Sequence, residues 1–350
     1  MQRDPLAGKL PVTLITGFLG SGKTTLIQAL LRHPAMNRVA VVINEVGEIG
    51  IDHDLVTTVS ENVSLLANGC LCCTVRTDLQ ETLRELFGQR RAGQIADFDR
   101  VVIETTGLAD PAPVIQTLAT DTMLNAQYRL DGVVTLVDAV NGAGQLAEQP
   151  EAQKQVALAD RIFVTKTDLS DDAHYLALLG LLRTLNPAAS VQKLLMGEVS
   201  PSEVIGLGLS SARANASTLR FLGELDPEGG GAKDGDASAY LGERLAFRHD
   251  PRIQTLSLRF GTPFTWDGFT AAMEMVIGLR GPDLLRVKGI VNVEGGPVVV
   301  QGVQHVMHPP VRLDKWPSDD RDTRLVFITR GIPEAAIRGL FDAVAAIQKA

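Results

Sequence analysis

The stretch from Leu10 to Leu31, LPVTLITGFLGSGKTTLIQALL, constrains this chain more than any other. It opens as an apolar run, passes through glycines, and then places Leu26, Leu30 and Leu31 at helical spacing. That order predicts a buried strand, a tight turn and a helix. Within it, Gly17-Phe18-Leu19-Gly20-Ser21-Gly22-Lys23-Thr24 fits G-x-x-x-x-G-K-[ST] at every fixed position. Gly17 and Gly22 permit backbone angles and close approaches that a side chain would block. Amides of the loop and of the helix start, at Gly20, Ser21, Gly22, Lys23, Thr24 and Thr25, then point at phosphate oxygens. Lys23 reaches the β- and γ-phosphates, and the Thr24 hydroxyl is suited to magnesium. A chance glycine turn would not bring the strand and the helix with it.

A phosphate loop belongs to an α/β domain with further contacts at the carboxyl ends of later strands. RVVIETTG offers one, an apolar strand from Val101 to Ile103 that runs into Glu104, with Gly107 three residues on. Glu104 is expected to organise magnesium, directly or through water. The Gly107 amide is placed for the γ-phosphate, so this segment is one that moves on hydrolysis. RIFVTKTDL offers the other, a strand from Ile162 to Val164 followed by Thr165-Lys166-Thr167-Asp168. A carboxylate at Asp168 accepts from the guanine N1–H and 2-amino group, a donor pair that adenine lacks, and the Lys166 stem lies along the base. This motif usually begins with Asn; here Thr165 stands in that place. Between the two stations, DGVVTLVDA reads as a central strand, and its Asp138 receives no role from the sequence.

All three cysteines of the chain, Cys70, Cys72 and Cys73, lie in GCLCC. An odd count closes no disulfide framework, and no export signal precedes the first strand, which places the thiols in a reducing cytoplasm. Thiolates are soft ligands suited to zinc and related ions, yet three leave a tetrahedral zinc one ligand short. Adjacent Cys72 and Cys73 fall on opposite faces of a strand, so one metal held by both needs a turn, which Asn68-Gly69 is suited to make. Either all three bind on a turned backbone, or two do, Cys70 and Cys72. The remaining ligand is open among Glu45, Glu48, His53, water and a partner's side chain. Buried small hydrophobes and a redox sensor are the other readings of the cluster.

The net charge of −8 argues against a general nucleic-acid binder, and no apolar run approaches the roughly 20 residues of a membrane span. From Pro11 to about Leu209 apolar strands alternate with amphipathic segments, the pattern of a parallel sheet wrapped by helices. DPEGGGAKDGDAS, residues 226 to 238, has nothing to pack and reads as a flexible acidic linker. Beyond it come a strand at Arg252 to Phe260, a helix in TWDGFTAAMEMVIGLRG and a hairpin turning at Gly295-Gly296. A strand in TRLVFITRG and a closing helix after Pro333 complete the set. VVVQGVQHVMHPP reads as a strand running into a Pro-rich turn, with His305 and His308 as surface or packing residues. The expected organisation is a nucleotide domain over 1–222, a linker over 223–248 and a smaller C-terminal α+β domain over 249–350.

The succession of phosphate loop, NEVGEIGID, GCLCC, ETTGLADP and TKTD resembles the CobW-type metal-associated P-loop GTPases, relatives of the nickel-delivery GTPases UreG and HypB, and most of all their YjiA-like branch. LLRVKGIVNVEGGPVVVQGVQ is similar to the CobW C-terminal domain, so the resemblance spans nearly the whole chain. It implies an α/β P-loop GTPase domain plus a C-terminal α+β domain, and GTP hydrolysis with magnesium held at Thr24 and Glu104. It also implies zinc, cobalt or another divalent metal at Cys70, Cys72, Cys73 and the carboxylate of Glu48, for delivery to a client metalloprotein. Where that branch has a metal-linked glutamate just before the NE pair, this chain has Ile43, and it has no His-rich tract. Metal shared between two chains, as a homodimer, is compatible with two or three thiolates per chain. The alternative reading is a nucleotide-dependent switch that recruits a partner, with structural or redox cysteines.

Overall fold

The computed structural model describes residues 8–44, 56–60, 63–66, 71–74, 78–207 and 253–347, at 44 and 56–74 for the backbone alone. The expected linker, Glu48 and Cys70 lie outside the described residues. Contacts divide the chain into two compact units. The first holds Met1–Val140, Ala159–Tyr175 and Lys193–Ser210; the second holds Asn141–Leu158, Leu176–Gln192 and Ser211–Ala350.

The nucleotide-domain elements begin with β1 (Leu10–Gly17), α1 (Lys23–Arg32) and β2 (Val39–Asn44). Three short strands follow, β3 (Val56–Ser60), β4 (Val63–Leu66) and β5 (Leu71–Thr74), then α2 (Leu79–Arg91) and β6 (Arg100–Thr105). Next come α3 (Ala112–Thr120), α4 (Thr122–Gln127), β7 (Tyr128–Asp138), α5 (Gly142–Glu148), α6 (Pro150–Ala157) and β8 (Arg161–Thr165). The series ends with α7 (Asp172–Leu185), β9 (Ser190–Leu194) and the single turn α8 (Pro201–Val204).

These strands form one nine-stranded sheet in the order β3-β4-β5-β2-β6-β1-β7-β8-β9. Six consecutive strands, β5 to β8 in that order, are mutually parallel. Every residue of β1 is buried, as a strand covered on both faces requires. On one face Ile15 packs with Leu26, Leu30 and Leu31 of α1, the residues whose spacing marks the helix in the sequence. The β3-β4 hairpin extends the sheet antiparallel beside β5, an addition the parallel pattern does not announce. Cys72 and Cys73 take successive positions of β5, opposite Val41 and Val42 of β2, so the backbone there is extended rather than turned.

Asp121 joins two helices of this layer. It caps α4 by accepting from the Leu124 amide at 2.8 Å and also accepts from Arg84 and Gln80 of α2. The Leu124 amide, then Arg84 and Gln80, hold its carboxyl below the usual carboxylate range, outweighing desolvation. Stability from such a group is complete above the ordinary carboxylate pKa of about 3.9 and is lost as pH falls through the lower folded-state value. Asp121→Asn is expected to make the unfolding free energy fall less steeply below about pH 4 than in the parent, as urea titrations across that range would read.

The C-terminal elements are β10 (Ile253–Phe260), α9 (Trp266–Arg280), β11 (Leu284–Val293), β12 (Gly296–Val303), β13 (Val306–Met307), β14 (Val311–Arg312), β15 (Thr323–Arg330) and α10 (Glu334–Ile347). The sheet order is β10-β15-β11-β12-β13, with β14 also on β12. The segment expected to run into a Pro-rich turn instead folds back as β13, pairing Val306 with Val303. Thr265 caps α9 by accepting from the Gly268 amide, with Asp267 in the first turn. One face of the sheet packs on α9 and α10 around Phe341, whose ring lies 5.6 to 6.1 Å from those of Phe260, Phe264, Phe269 and Phe327. The other face carries buried Arg286 and Lys288. Arg286 donates to the Leu158 carbonyl at 2.8 Å, and Thr255 donates to the Leu185 carbonyl at 3.0 Å, which explains why segments around α6 and α7 group with this unit. Phe341→Ala is expected to destabilise the unit by about 3–5 kcal/mol, seen as a lower urea midpoint for its unfolding.

Candidate functional site

The sheet register assembles the site at the carboxyl ends of the central strands. β1 lies between β6 and β7, with Ile15 opposite Glu104 and Gly17 opposite Leu136. The chain leaves β1 at Gly17 with φ +145°, and an ideal Cβ there would lie 2.4 Å from the Leu136 carbonyl oxygen and 2.6 Å from Ser21 Oγ. No side chain fits. Gly20 and Gly22 also have positive φ, and Gly22 is the N-cap of α1. The Ser21 amide donates to the Phe18 carbonyl at 3.1 Å, closing the loop.

Lys23 is only 5% exposed. Its ammonium donates to the carbonyls of Gly17 at 3.0 Å and Phe18 at 3.4 Å, across the concavity of the loop. Thr24 Oγ1 donates to Glu104 Oε1 at 3.3 Å, and Glu104 is 1% exposed at the end of β6. Ser21 Oγ is buried with no hydrogen-bond partner, on the side of the loop where a Cβ on Gly17 would lie. Gly107 approaches the loop closely: a Cβ would lie 2.7 Å from the Leu19 amide nitrogen. The two segments that the sequence assigns to phosphate and magnesium therefore meet.

The segment that the sequence assigns to the base follows β8, beside the end of β7. Thr165 donates to the Ser21 carbonyl at 2.8 Å, tying β8 to the phosphate loop. Thr165, standing where the motif usually has Asn, thus makes this link through its hydroxyl. Lys166 is left-handed (φ +56°, ψ 31°). Asp168 lies exposed in the short 3-10 turn Thr167–Leu169. The residue that sequence reasoning leaves without a role is Asp138. It is buried at 1% exposure, its Oδ2 lies 2.6 Å from Lys166 Nζ, and its Oδ1 accepts from the Val140 amide at 2.7 Å. The signal was an apolar strand ending in Asp one strand before a TKTD loop.

Thr25 is exposed at the start of α1, where its carbonyl is met by the loop after β9: a Cβ on Gly197 would come within 2.9 Å of it. The cysteine strand stands two places from β6. Across the sheet Thr74, Ile43, Glu104 and Ile15 share one row, so Cys73 sits one row behind Glu104. With about 4.8 Å between neighbouring strands, β5 and β6 are about 10 Å apart. Among the described residues no three His, Cys, Asp or Glu side chains gather as a metal site, and no helix is long and apolar enough to cross a membrane. His305 is exposed on the turn before β13, in keeping with a surface residue.

Residues 11–193 match the model of the CobW/HypB/UreG nucleotide-binding domain, more than half of the chain. This chain belongs to the CobW/HypB/UreG family. Residues 253–345 match the cobalamin synthesis protein CobW C-terminal domain, so both units carry the CobW arrangement: a P-loop GTPase fold with six parallel strands, followed by an antiparallel sheet domain. The chain is 34% identical over 337 residues to the zinc chaperone YjiA of Escherichia coli K12, covering 95% of this chain and 98% of that one. It is 29% identical to the zinc chaperone CobW of a Sinorhizobium species, over 96% and 98% of the two chains. Among solved structures, the Zn(II)-bound YjiA GTPase from E. coli superposes with a TM-score of 0.72 at 31% identity, over 96% and 99% of the two chains.

Thr165→Val keeps the shape of this CobW-type loop but leaves the Ser21 carbonyl without that donor. A loss of about 1–2 kcal/mol is expected, read as a lower urea midpoint with an unchanged slope.

Proposed function

We propose that this chain is a GTP-binding and GTP-hydrolysing metallochaperone, coupling nucleotide state to the binding and delivery of zinc or another divalent metal. The observation that carries this reading is an assembled phosphate loop, with Thr24 meeting Glu104, in a chain matched along almost its whole length to a zinc chaperone. Amides from Gly20 to Thr25 take the phosphates, and Lys23 turns from the Gly17 and Phe18 carbonyls to the β- and γ-phosphate oxygens. Asp168 accepts from the guanine N1–H and 2-amino group, and the Lys166 stem lies along the base.

Thr24 Oγ and the Glu104 carboxylate are hard oxygen donors of the kind that suit magnesium, and they are the residues that would hold it. When bound, the ion neutralises charge on the β- and γ-phosphates. The protein's own work is to fix the triphosphate and keep the γ-phosphorus open to in-line attack by water, with cleavage of the bond to the β–γ bridging oxygen. No side chain forms a covalent intermediate. The Gly107 amide, beside Leu19, reports the γ-phosphate to the segment after β6.

The metal is cargo. Cys70, Cys72 and Cys73 are its thiolate ligands and Glu48 its carboxylate. The extended backbone at Cys72 and Cys73 speaks against one metal held by these two adjacent residues, and we carry forward the two-thiolate version, Cys70 with Cys72. A metal held by two thiolates and a carboxylate has room for a ligand from a second chain or from a client metalloprotein, which agrees with a homodimer at the moment of transfer. The setting is the cytoplasm, where the thiols stay reduced.

The test is zinc affinity by competition with a chromophoric chelator, in the GDP state and with a non-hydrolysable GTP analogue plus magnesium. Affinity is expected to differ severalfold or more between the two states and to vanish when all three cysteines are replaced by Ser. Equal affinity in both states, or binding that survives without the cysteines, would overturn the transfer mechanism in favour of a partner-recruiting switch.

A further inference from the structure

Asp138 is the acid to which neither phosphate nor metal chemistry gives a role. Its carboxylate is buried at the end of β7, an unfavourable place for a charge without partners. Both oxygens are engaged with the base loops. Oδ2 pairs with the Lys166 ammonium at 2.6 Å, and Oδ1 takes the Val140 amide at 2.7 Å. The Ala139 amide donates to the Thr165 carbonyl at 2.9 Å, joining the two loops through their backbones as well.

Lys166 is thereby held at both ends. Its backbone sits in the left-handed region, disfavoured for a residue with a side chain, and is locked there by the Leu169 amide donating to its carbonyl at 3.0 Å. That bond closes the short turn carrying Asp168. Its ammonium is anchored on Asp138, while the side chain as a whole keeps 36% of its surface exposed. A free lysine side chain has large rotamer freedom to lose when a ligand packs on it. Here that freedom is already spent in the protein, and the methylene stem is a fixed surface. Strained backbone clusters at ligand-binding sites, where it preorganises them.

We propose that Asp138 is a positioning residue for the nucleotide: by fixing the Lys166 side chain it prebuilds the surface on which the base lies, and so sets guanine-nucleotide affinity without touching the nucleotide. The proposal rests on the assignment of Lys166 and Asp168 to the base. An interaction made equally in substrate and transition state raises affinity without raising kcat. Asp138→Asn is therefore expected to weaken GDP and GTP binding alike, by about 10-fold, and to raise KM for GTP by the same factor with kcat unchanged.

The experiment is a double-mutant cycle on the full chain. Kd for a fluorescent GDP and steady-state GTP hydrolysis would be measured for the parent, D138N, K166M and D138N/K166M. If Asp138 acts through Lys166, the D138N effect on Kd disappears in the K166M background. A D138N protein with a lowered melting temperature and lowered kcat but an unchanged Kd has a structural role only, and the proposal falls. An equal D138N effect in both backgrounds would also overturn it. Should D138N not fold, D138E keeps the charge, displaces it by one methylene and carries the same comparison. D168N separates the two levels of failure. If K166M and D168N both leave GDP affinity intact, the base assignment is wrong; if they weaken it and D138N does not, only the role of Asp138 is wrong.

Discussion

Where β1 ends, the Leu136 carbonyl of β7 occupies the space that a Cβ on Gly17 would need. That close approach exists because β1 runs between β6 and β7 in parallel register, and it fixes the exit of the loop from the sheet. Everything at the carboxyl edge follows from it. The loop turns back through Gly20 and Gly22, α1 starts at Lys23, and its first turn brings Thr24 to the acid that the β6 register places beside Ile15. The Leu26 and Leu30 face of α1 then covers the sheet, so the packing that stabilises the domain also aims the helix N-terminus at the phosphate position.

Three buried acids show how such a sheet tolerates charge. Asp131, near the start of β7, accepts from Arg100 and Thr13 and from the Gly206 amide. Glu104 meets a hydroxyl, and Asp138 meets a lysine and an amide. A buried carboxylate without such partners would be neutralised or would unfold the sheet. The Asp131 cluster lies in the first half of its strand, away from the loops, and has a structural role. The other two lie at strand ends beside the phosphate loop. Position along the strand, more than burial, separates the acid that holds the fold from the two for which a ligand role is proposed.

The strand-loop-helix of the phosphate motif, the strands that end at Glu104 and Thr165, and the four long C-terminal strands β10, β11, β12 and β15 were legible because each carries a clear local pattern; the short β13 and β14 were not. Glycine at 17 and 22, lysine at 23 and an acid after an apolar run, in that order, suit little besides a bound phosphate. The β3-β4 hairpin was not legible, since VTTVS and VSLL are too short to show a period, and antiparallel pairing at a sheet edge depends on neighbours distant in sequence. Asp138 was visible as a strand-terminal acid, but its partner is Lys166, and only the adjacency of β7 and β8 brings the two together. The role of Thr165 was hidden for a similar reason. In the sequence it is a bare departure from Asn; in the fold its hydroxyl donates to the Ser21 carbonyl.

The strand register gives the proposed coupling a short path. Thr74, Ile43 and Glu104 stand in one row across β5, β2 and β6. A displacement at the end of β6 when the γ-phosphate is lost has only β2 to cross before it reaches the strand that carries Cys72 and Cys73. The segment that leaves β2 after Asn44 contains Glu45 and Glu48, so a carboxylate ligand from it would start from the strand between the nucleotide and the thiolates. Were that carboxylate a ligand in one nucleotide state and not in the other, the two sites would be coupled, and the effect would be reciprocal. Metal would then bias the nucleotide equilibrium by the same factor with which nucleotide biases metal.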